Sequence, residues 1–483
     1  MQPLVALRVL GILLMLFSIT LLPPVFISMY THDGAAQSFL SAFFVVLVGG
    51  LVIWLPVYKQ TQELKLRDGF VVVVLFWIAL SAAGSLPFML AEQPHMSLVD
   101  SVFESVSGLT TTGATVITGI DDLPLSIRYY RQQLQWLGGM GIIVLAVAIL
   151  PMLGIGGMQL YRAETPGPMK EAKLTPRITE TAKALWYIYL GLTVMSALAY
   201  WLAGMSAFDA ISHSFSTVSI GGFSTHDASI GWFDSYLIES IAIVFMLLSG
   251  INFALHFVAW RSLDPRVYLR DAEVRAYFTI LGVVAIATSV YLLISNTFDD
   301  PVKNVMSGIF HAVSIGTTTG FTTAEYAVWP GVLPVLLIFT SFIGGCASST
   351  AGGIKVIRFV LLLKQGRREI MRLLHPSALI TIKMNRRPVP DRVIDAVWGF
   401  FSAYAAIFVL LVLALMLTGL DQVTAFSAVS ASINNLGPGL GDVSANYGNI
   451  NTAAKWILSL AMLLGRLEIF TLLVLFIPAF WRK

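Results

Sequence analysis

Thr110-Thr111-Thr112-Gly113 ends the short amphipathic stretch FESVSGLTTTG at 103–113, and the chain repeats that arrangement three more times. Ser219-Ile220-Gly221-Gly222, Thr317-Thr318-Thr319-Gly320 and Asn434-Asn435-Leu436-Gly437 follow at intervals of about a hundred residues. Each polar, glycine-ended tetrad lies between apolar runs. Polar backbone at membrane depth is tolerated only where it is buried in protein or lines a water-filled path. Four copies in one polypeptide therefore read as four quarters of a single ring.

The surrounding composition fits that reading. The 483 residues are 57% hydrophobic and 12% charged, where a soluble domain carries roughly 25% charge. Apolar runs at 70–90, 134–153, 277–294 and 400–417 are each long enough for a hydrocarbon core of about 30 Å. The first run, 5–25, has little positive charge before it and Pro23-Pro24 where a cleavage site would need small residues, so it reads as a retained helix. The chain is an all-α integral membrane protein. One cysteine, Cys346, leaves no disulfide framework and no thiolate metal cluster.

Charge is distributed unevenly. Segments 58–69, 159–183, 261–275 and 364–392 hold 3, 5, 4 and 8 of the thirty Lys and Arg residues. The segments between them carry mostly acids, among them Asp121, Asp122, Asp227, Asp299 and Asp442. The positive-inside rule puts the basic set, and both termini, on the cytoplasmic side. The acids then face outward, where they either solvate loops or concentrate cations.

Between successive basic segments stand a long apolar run, a short one and a second long one. The parts divide the chain into two N-terminal helices (1–66) and four pore repeats, 67–160, 161–265, 266–375 and 376–483. Copies one and three align without gaps, FESVSGLTTTG against FHAVSIGTTTG at 310–320. Copy four needs one extra residue before its tetrad, and its Pro438-Gly439 is peculiar to it. About ten helical residues rise roughly 15 Å, half a bilayer. Each short run thus predicts a half-helix ending near mid-membrane with its carbonyls, and their partial negative charge, aimed at the centre. A strand of about five residues then climbs back, with glycine permitting the φ values that turn carbonyls to one side. Rings of backbone carbonyls are how proteins replace the hydration shell of potassium.

With these blocks in hand, the chain resembles the membrane subunits of the bacterial Trk potassium-uptake system (TrkH-like), within the Trk/Ktr/HKT superfamily. Beyond the tetrads the resemblance rests on QWLGGMGII at 135–143, GMQLYRAE at 157–164, FSTHD at 223–227, AVWGFF at 396–401 and NNLGPGL at 434–440. It implies four helix–pore-loop–helix repeats around a pseudo-fourfold pore, preceded by two helices. Potassium would be held by backbone carbonyls around Thr111, Thr112, Ile220, Gly221, Thr318, Thr319, Asn435 and Leu436. Thr110, Ser219, Thr317 and Asn434 would open the filter, and Gly113, Gly222, Gly320 and Gly437 would stand where potassium channels have their first filter glycine. Copies one to three lack a second glycine, which implies a shorter ladder of sites, weaker discrimination against sodium, and acceptance of rubidium.

Two further features fall beneath the tetrads. FIGGCASSTAGGIK at 342–355 is poor helix material. Its small residues allow either a close helix crossing or, by the resemblance, an intramembrane gate over 344–353, including Gly344, Gly345, Ser348, Ser349, Thr350, Gly352 and Gly353. Arg466, deep in the last apolar run, is costly there without water or a partner. It either pairs with Glu468 or a loop carbonyl, or projects into the pore against 344–353 and repels cations when the gate is closed. His213 and His311 occupy one position in two half-helices, where copy one has Glu104; no third metal ligand accompanies them, so they read as braces of the half-helices or as residues near the outer vestibule.

GGIK at 352–355 lacks the ending of a phosphate-binding loop, and no catalytic or nucleic-acid-binding pattern occurs, so the chain reads as no enzyme. Cofactors are none in this chain, with potassium as the substrate. The basic segment 364–392 either anchors to anionic lipid or, by the resemblance, docks a TrkA-like regulatory subunit carrying the NAD(H) and ATP/ADP sites. The resemblance also implies a homodimer. The rival reading is an ion-coupled secondary transporter, but such folds use inverted repeats with broken helices, and here the parts keep one order. Coupling of potassium to protons or sodium stays open; Glu468 and Asp395 are isolated acids, which favours passive conduction.

Overall fold

The structure is a computed structural model that describes residues 3–60, 66–139, 141, 178–385 and 387–482. Its described elements are helices apart from one short hairpin, Lys383–Met384 with Arg387–Pro388. Among these residues six helices are long and apolar enough to cross a membrane. Two are N-terminal: Pro3–Thr31, which steps at Thr20 and Leu21, and Ala36–Val57. The other four are the leading helices of the four quarters: Leu66–Leu90, Ile178–Leu202, Ala272–Ser295 and Asp391–Leu417. The expected runs at 70–90, 277–294 and 400–417 thus fall inside helices that extend beyond them. Residues 142–177, with the second half of the run 134–153, the block 157–164 and most of the basic segment 159–183, lie outside the described residues, as does Arg386.

A half-helix follows each leading helix: Leu98–Leu109, Ala207–Ser219, Pro301–Gly316 and Gln422–Ile433. These are 12, 13, 16 and 12 residues long, somewhat longer than the ten the spacing predicts. Their length is set by caps at both ends. Ser97, Ser206, Asp300 and Asp421 each accept a hydrogen bond from a free N–H of the first turn, which is what an N-cap side chain does. At the far end the same turn closes all four. The N–H of Thr112, Gly221, Thr319 and Leu436 donates to the carbonyl five residues back, at 2.9, 2.8, 2.7 and 2.7 Å. The N–H one residue earlier donates three residues back. This paired pattern is the Schellman motif.

The trailing helices differ from the sequence expectation, which broke only the third. The second bends by 95° between Tyr236–Ser249 and Phe253–Ser262, with Asn252 Oδ1 capping Ala254 N at 2.8 Å. The third stops at Ser341 and resumes at Val356. The fourth bends by 106° after Arg466. Arg466 therefore ends its helix rather than lying at its middle. The basic segment 364–392 is also more ordered than a loop. It continues the helix Val356–Leu374, and its hairpin docks on the start of the third leading helix, where Asn385 Oδ1 accepts from Ala272 N at 2.7 Å.

Candidate functional site

The four tetrads share one backbone conformation. Their second residues, Thr111, Ile220, Thr318 and Asn435, have φ of 55°, 55°, 67° and 52°, and their glycines, Gly113, Gly222, Gly320 and Gly437, have 82°, 79°, 84° and 96°. The residue between them is not left-handed in any copy. A β-branched residue in the left-handed region is strained by about 1–3 kcal/mol, and such strain persists only where the surroundings impose it. Here three of four copies carry one.

The tetrads close on one another. A Cβ on Gly113 would lie 2.2 Å from the Gly221 carbonyl oxygen, and one on Gly222 would lie 2.0 Å from that of Thr319. One on Gly320 would lie 2.1 Å from the Leu436 oxygen, and one on Gly437 2.6 Å from that of Thr112. Each glycine therefore abuts the next copy's carbonyl, in the order one, two, three, four and back to one. The result is a closed ring that admits no side chain at any of the four glycines.

Behind the ring, each half-helix is tied to the chain that follows its own tetrad, which forms no strand where one was expected. Glu104 accepts from Thr115 Oγ1 and Val116 N at 3.0 Å. His213 Nε2 lies 2.9 Å from Ser224 Oγ, and His311 Nε2 lies 3.2 Å from the Ala324 carbonyl. Ser427 does the same in copy four, donating to Leu440 O and accepting from Leu440 N. The histidines do brace their half-helices, and Ser427 completes a set that is out of register in the sequence, since it stands one residue further from its tetrad glycine than Glu104, His213 and His311 do. Cross-copy bonds secure the seams. Arg131, almost fully buried, pairs with Glu104 at 2.8 Å and reaches the Ser224 carbonyl of copy two at 3.0 Å. Gly231 N donates to Thr322 O between copies two and three, Tyr326 Oη to Gly439 O between three and four, and Tyr447 N to Thr115 O between four and one.

Directly beneath the ring runs the segment 342–355. Gly344, Ser348, Gly353 and Lys355 all have positive φ, so it is an irregular loop, not a close-packed helix. It touches three copies. Thr350 Oγ1 donates to the Val218 carbonyl at the end of the second half-helix at 2.9 Å. Gly352 N donates to Thr318 Oγ1 at 2.7 Å, and Gly353 N to Asn434 O at 3.1 Å. Arg466 supplies the fourth side. It donates to Thr111 Oγ1 of copy one at 3.2 Å, to Thr350 O at 3.4 Å, and to the Gly138 and Gly139 carbonyls. A loop carbonyl, two carbonyls at a helix end and a hydroxyl thus receive it, while Glu468 pairs with Arg358. Sequence reading missed Glu273. It is buried, and its Oε1 accepts from Ala347 N at 2.7 Å and Ile357 N at 3.1 Å, clasping both ends of the loop.

The expected sites Thr110, Ser219 and Thr317 lie at the half-helix ends, buried. Thr110 and Thr317 donate back to Val106 and Val313 carbonyls at 2.7 Å. Gly345 and Ser349 sit within the loop, where Val356 N donates to Gly345 O and Ser349 Oγ to Cys346 O.

A family model described as a cation transport protein, TrkH, matches residues 35–483. Over 478 residues the chain is 58% identical to the Trk system potassium uptake protein TrkH of Vibrio parahaemolyticus, with 99% of each chain covered. It is 54% identical over 476 residues to the protein of that name from Escherichia coli K12, again covering 99% of each. The crystal structure of the potassium transporter TrkH from Vibrio parahaemolyticus matches at a TM-score of 0.91 and 55% identity, over 100% of both chains. On this extent of agreement the chain belongs to the TrkH family of cation transport proteins.

Proposed function

We propose that this chain carries potassium into the cell across a bacterial plasma membrane, through a filter of backbone carbonyls at Thr111, Thr112, Ile220, Gly221, Thr318, Thr319, Asn435 and Leu436. The observation that carries the reading is the closed ring, in which each tetrad's glycine abuts its neighbour's carbonyl. Rings of this kind replace an ion's hydration shell with oxygen ligands. The loop 344–353 and Arg466 form the closed gate beneath it: they seal the floor of the ring, and the guanidinium repels cations until the loop moves. Opening is driven from the basic face, where both termini and the helix Val356–Leu374 lie on the cytoplasmic side. A nucleotide-binding, TrkA-like regulatory subunit docks there and holds the NAD(H) and ATP/ADP sites. Two copies of the chain pair in the membrane.

The test is a reversal-potential measurement on the full chain in reconstituted vesicles. A potential that follows the potassium gradient supports the pore. A potential that depends on pH or sodium replaces it with coupled transport.

A further inference from the structure

The ring is fourfold in backbone but not in what holds its carbonyls. Of the eight carbonyls assigned above to potassium, Gly221 O alone accepts a hydrogen bond among the described residues. Its donor is Gln135 Nε2, at 2.6 Å. The same amide's Oε1 accepts from Phe223 N at 3.0 Å, so the side chain bridges both flanks of Gly222. Gln135 is fully buried, on the trailing helix of copy one, Leu125–Gly139. Its orientation is fixed, since a backbone N–H must meet the oxygen and a backbone carbonyl the nitrogen.

A second observation points the same way. Gly221 does not have positive φ, so its backbone does not demand glycine. The other copies carry Thr112, Thr319 and Leu436 at this position. A Cβ on Gly221 would lie 2.4 Å from the Gln135 amide carbon and oxygen. Glycine stands there because the amide occupies the space a side chain would fill. Gln135 and Gly221 are one unit, built into copy two only.

We propose that Gln135 is a specificity-determining positioning residue, acting through the Gly221 carbonyl. An acceptor already engaged by a protein donor offers less to an ion. At that level of the ring, potassium meets three free carbonyls and one that is shared. Discrimination between potassium and sodium depends on the number and field strength of such ligands. Gln135 therefore lowers discrimination below what four free carbonyls would give. This rests on the reading of the ring as a filter.

The experiment measures the potassium-to-sodium permeability ratio of the full chain in vesicles, at whatever conductance each variant has. Gln135→Met removes the amide and keeps the length, and should raise the ratio by about threefold or more, the scale of one net hydrogen bond. An unchanged ratio overturns the proposal. Where Gln135→Met passes no current, a second pair decides. Gly221→Thr alone should abolish flux, because it collides with the amide. Combined with Gln135→Ala it should regain flux, with a ratio above that of the parent chain. Absence of rescue overturns the coupling of the two residues. Failure of the filter reading itself is separate, because the parent chain would then show no potential that follows the potassium gradient.

Discussion

Above the ring the four quarters do the same thing; below it each does something different. Four half-helices end in the same hydrogen-bonded turn, and four glycines meet four carbonyls in sequence. Underneath, copy three contributes a loop and copy four an arginine. Copy two supplies the Val218 and Ser249 carbonyls that receive Thr350, and copy one the Gly138 and Gly139 carbonyls that hold Arg466. Copies one and two thus anchor the loop and the arginine that we propose as the gate. A symmetric cage suits a spherical ion, whereas a switch needs one element that moves against fixed ones.

Breaking the symmetric part should cost most. Gly222→Ala places a Cβ about two ångströms from the Thr319 oxygen at a positive φ, and neither the ring nor the turn can relax without losing its partner. Potassium-limited growth of an uptake-deficient strain should be lost. Gly282→Ala, within the third leading helix, has open space and an ordinary helical backbone; it should grow normally. Equal growth of the two variants would contradict the closed ring.

Next comes the seam between copies one and two. Arg131→Met leaves the Glu104 carboxylate buried without its cation, and breaking such a pair costs about 3–5 kcal/mol. Thermal unfolding in detergent should fall sharply, and the pair Arg131→Met with Glu104→Leu should recover much of the loss. A single variant as stable as the parent would mean that Thr115 and Val116 alone satisfy Glu104.

How much of this could be read from the chain divides along the same line. The repeated half depends on local chemistry: Ser97, Ser206, Asp300 and Asp421 before the half-helices, the tetrads after them, and the charge alternation between sides. Such signals survive in sequence because they lie within a dozen residues of what they control. The asymmetric half depends on contacts between distant segments. Glu273 meets the loop 74 and 84 residues away, and Arg131 meets Ser224 across 93. Gly465 stands just before the bend after Arg466 and accepts from Glu468 N, but it does not itself take the turning conformation. Glu468 and Ile469 take positive φ themselves, and Glu468 is thereby paired with Arg358 rather than with the arginine two residues before it. The bend at 250–252 did carry a signal, Gly250 followed by the capping Asn252, which an apolar span had masked.

The loop and Arg466, proposed above as the gate, test the asymmetric half. Arg466→Ala removes charge-assisted bonds to carbonyls of copies one and three, each worth about 1.5–3 kcal/mol. Basal potassium flux in vesicles should rise about tenfold or more without any regulatory subunit; unchanged flux in a folded variant would remove the arginine from the gate. Glu273→Gln is milder, because an amide oxygen still accepts from Ala347 N and Ile357 N and only the second carboxyl oxygen is exchanged. Basal flux should rise by a factor of about two to three, and a rise matching that of Arg466→Ala would mean that the clasp, not the arginine, holds the loop.

The smallest effect should come from the acidic cluster around His226, where copies one and two meet. His226 stacks on Trp232 with ring centroids 3.7 Å apart and pairs through Nδ1 with Asp121 at 2.5 Å, while Asp209 lies 3.5 Å from its Nε2. Burial alone would lower the imidazole pKa, but the bonds to Asp209 and Asp121 outweigh it and hold the value above the ordinary one of 6.5. A raised folded-state value means that the clip's stabilisation is complete below about pH 6.5, the unfolded value, and fades as pH rises through the folded one. Asp121 is partly exposed, so the gain is under about 1 kcal/mol. Between pH 6 and pH 8 the parent chain should lose slightly more thermal stability in detergent than His226→Asn, which has no proton to lose there. Parallel pH profiles would show that the seam is held by its other bonds, such as those of Arg131, Gln132 and Gln135, and not by the His226 proton.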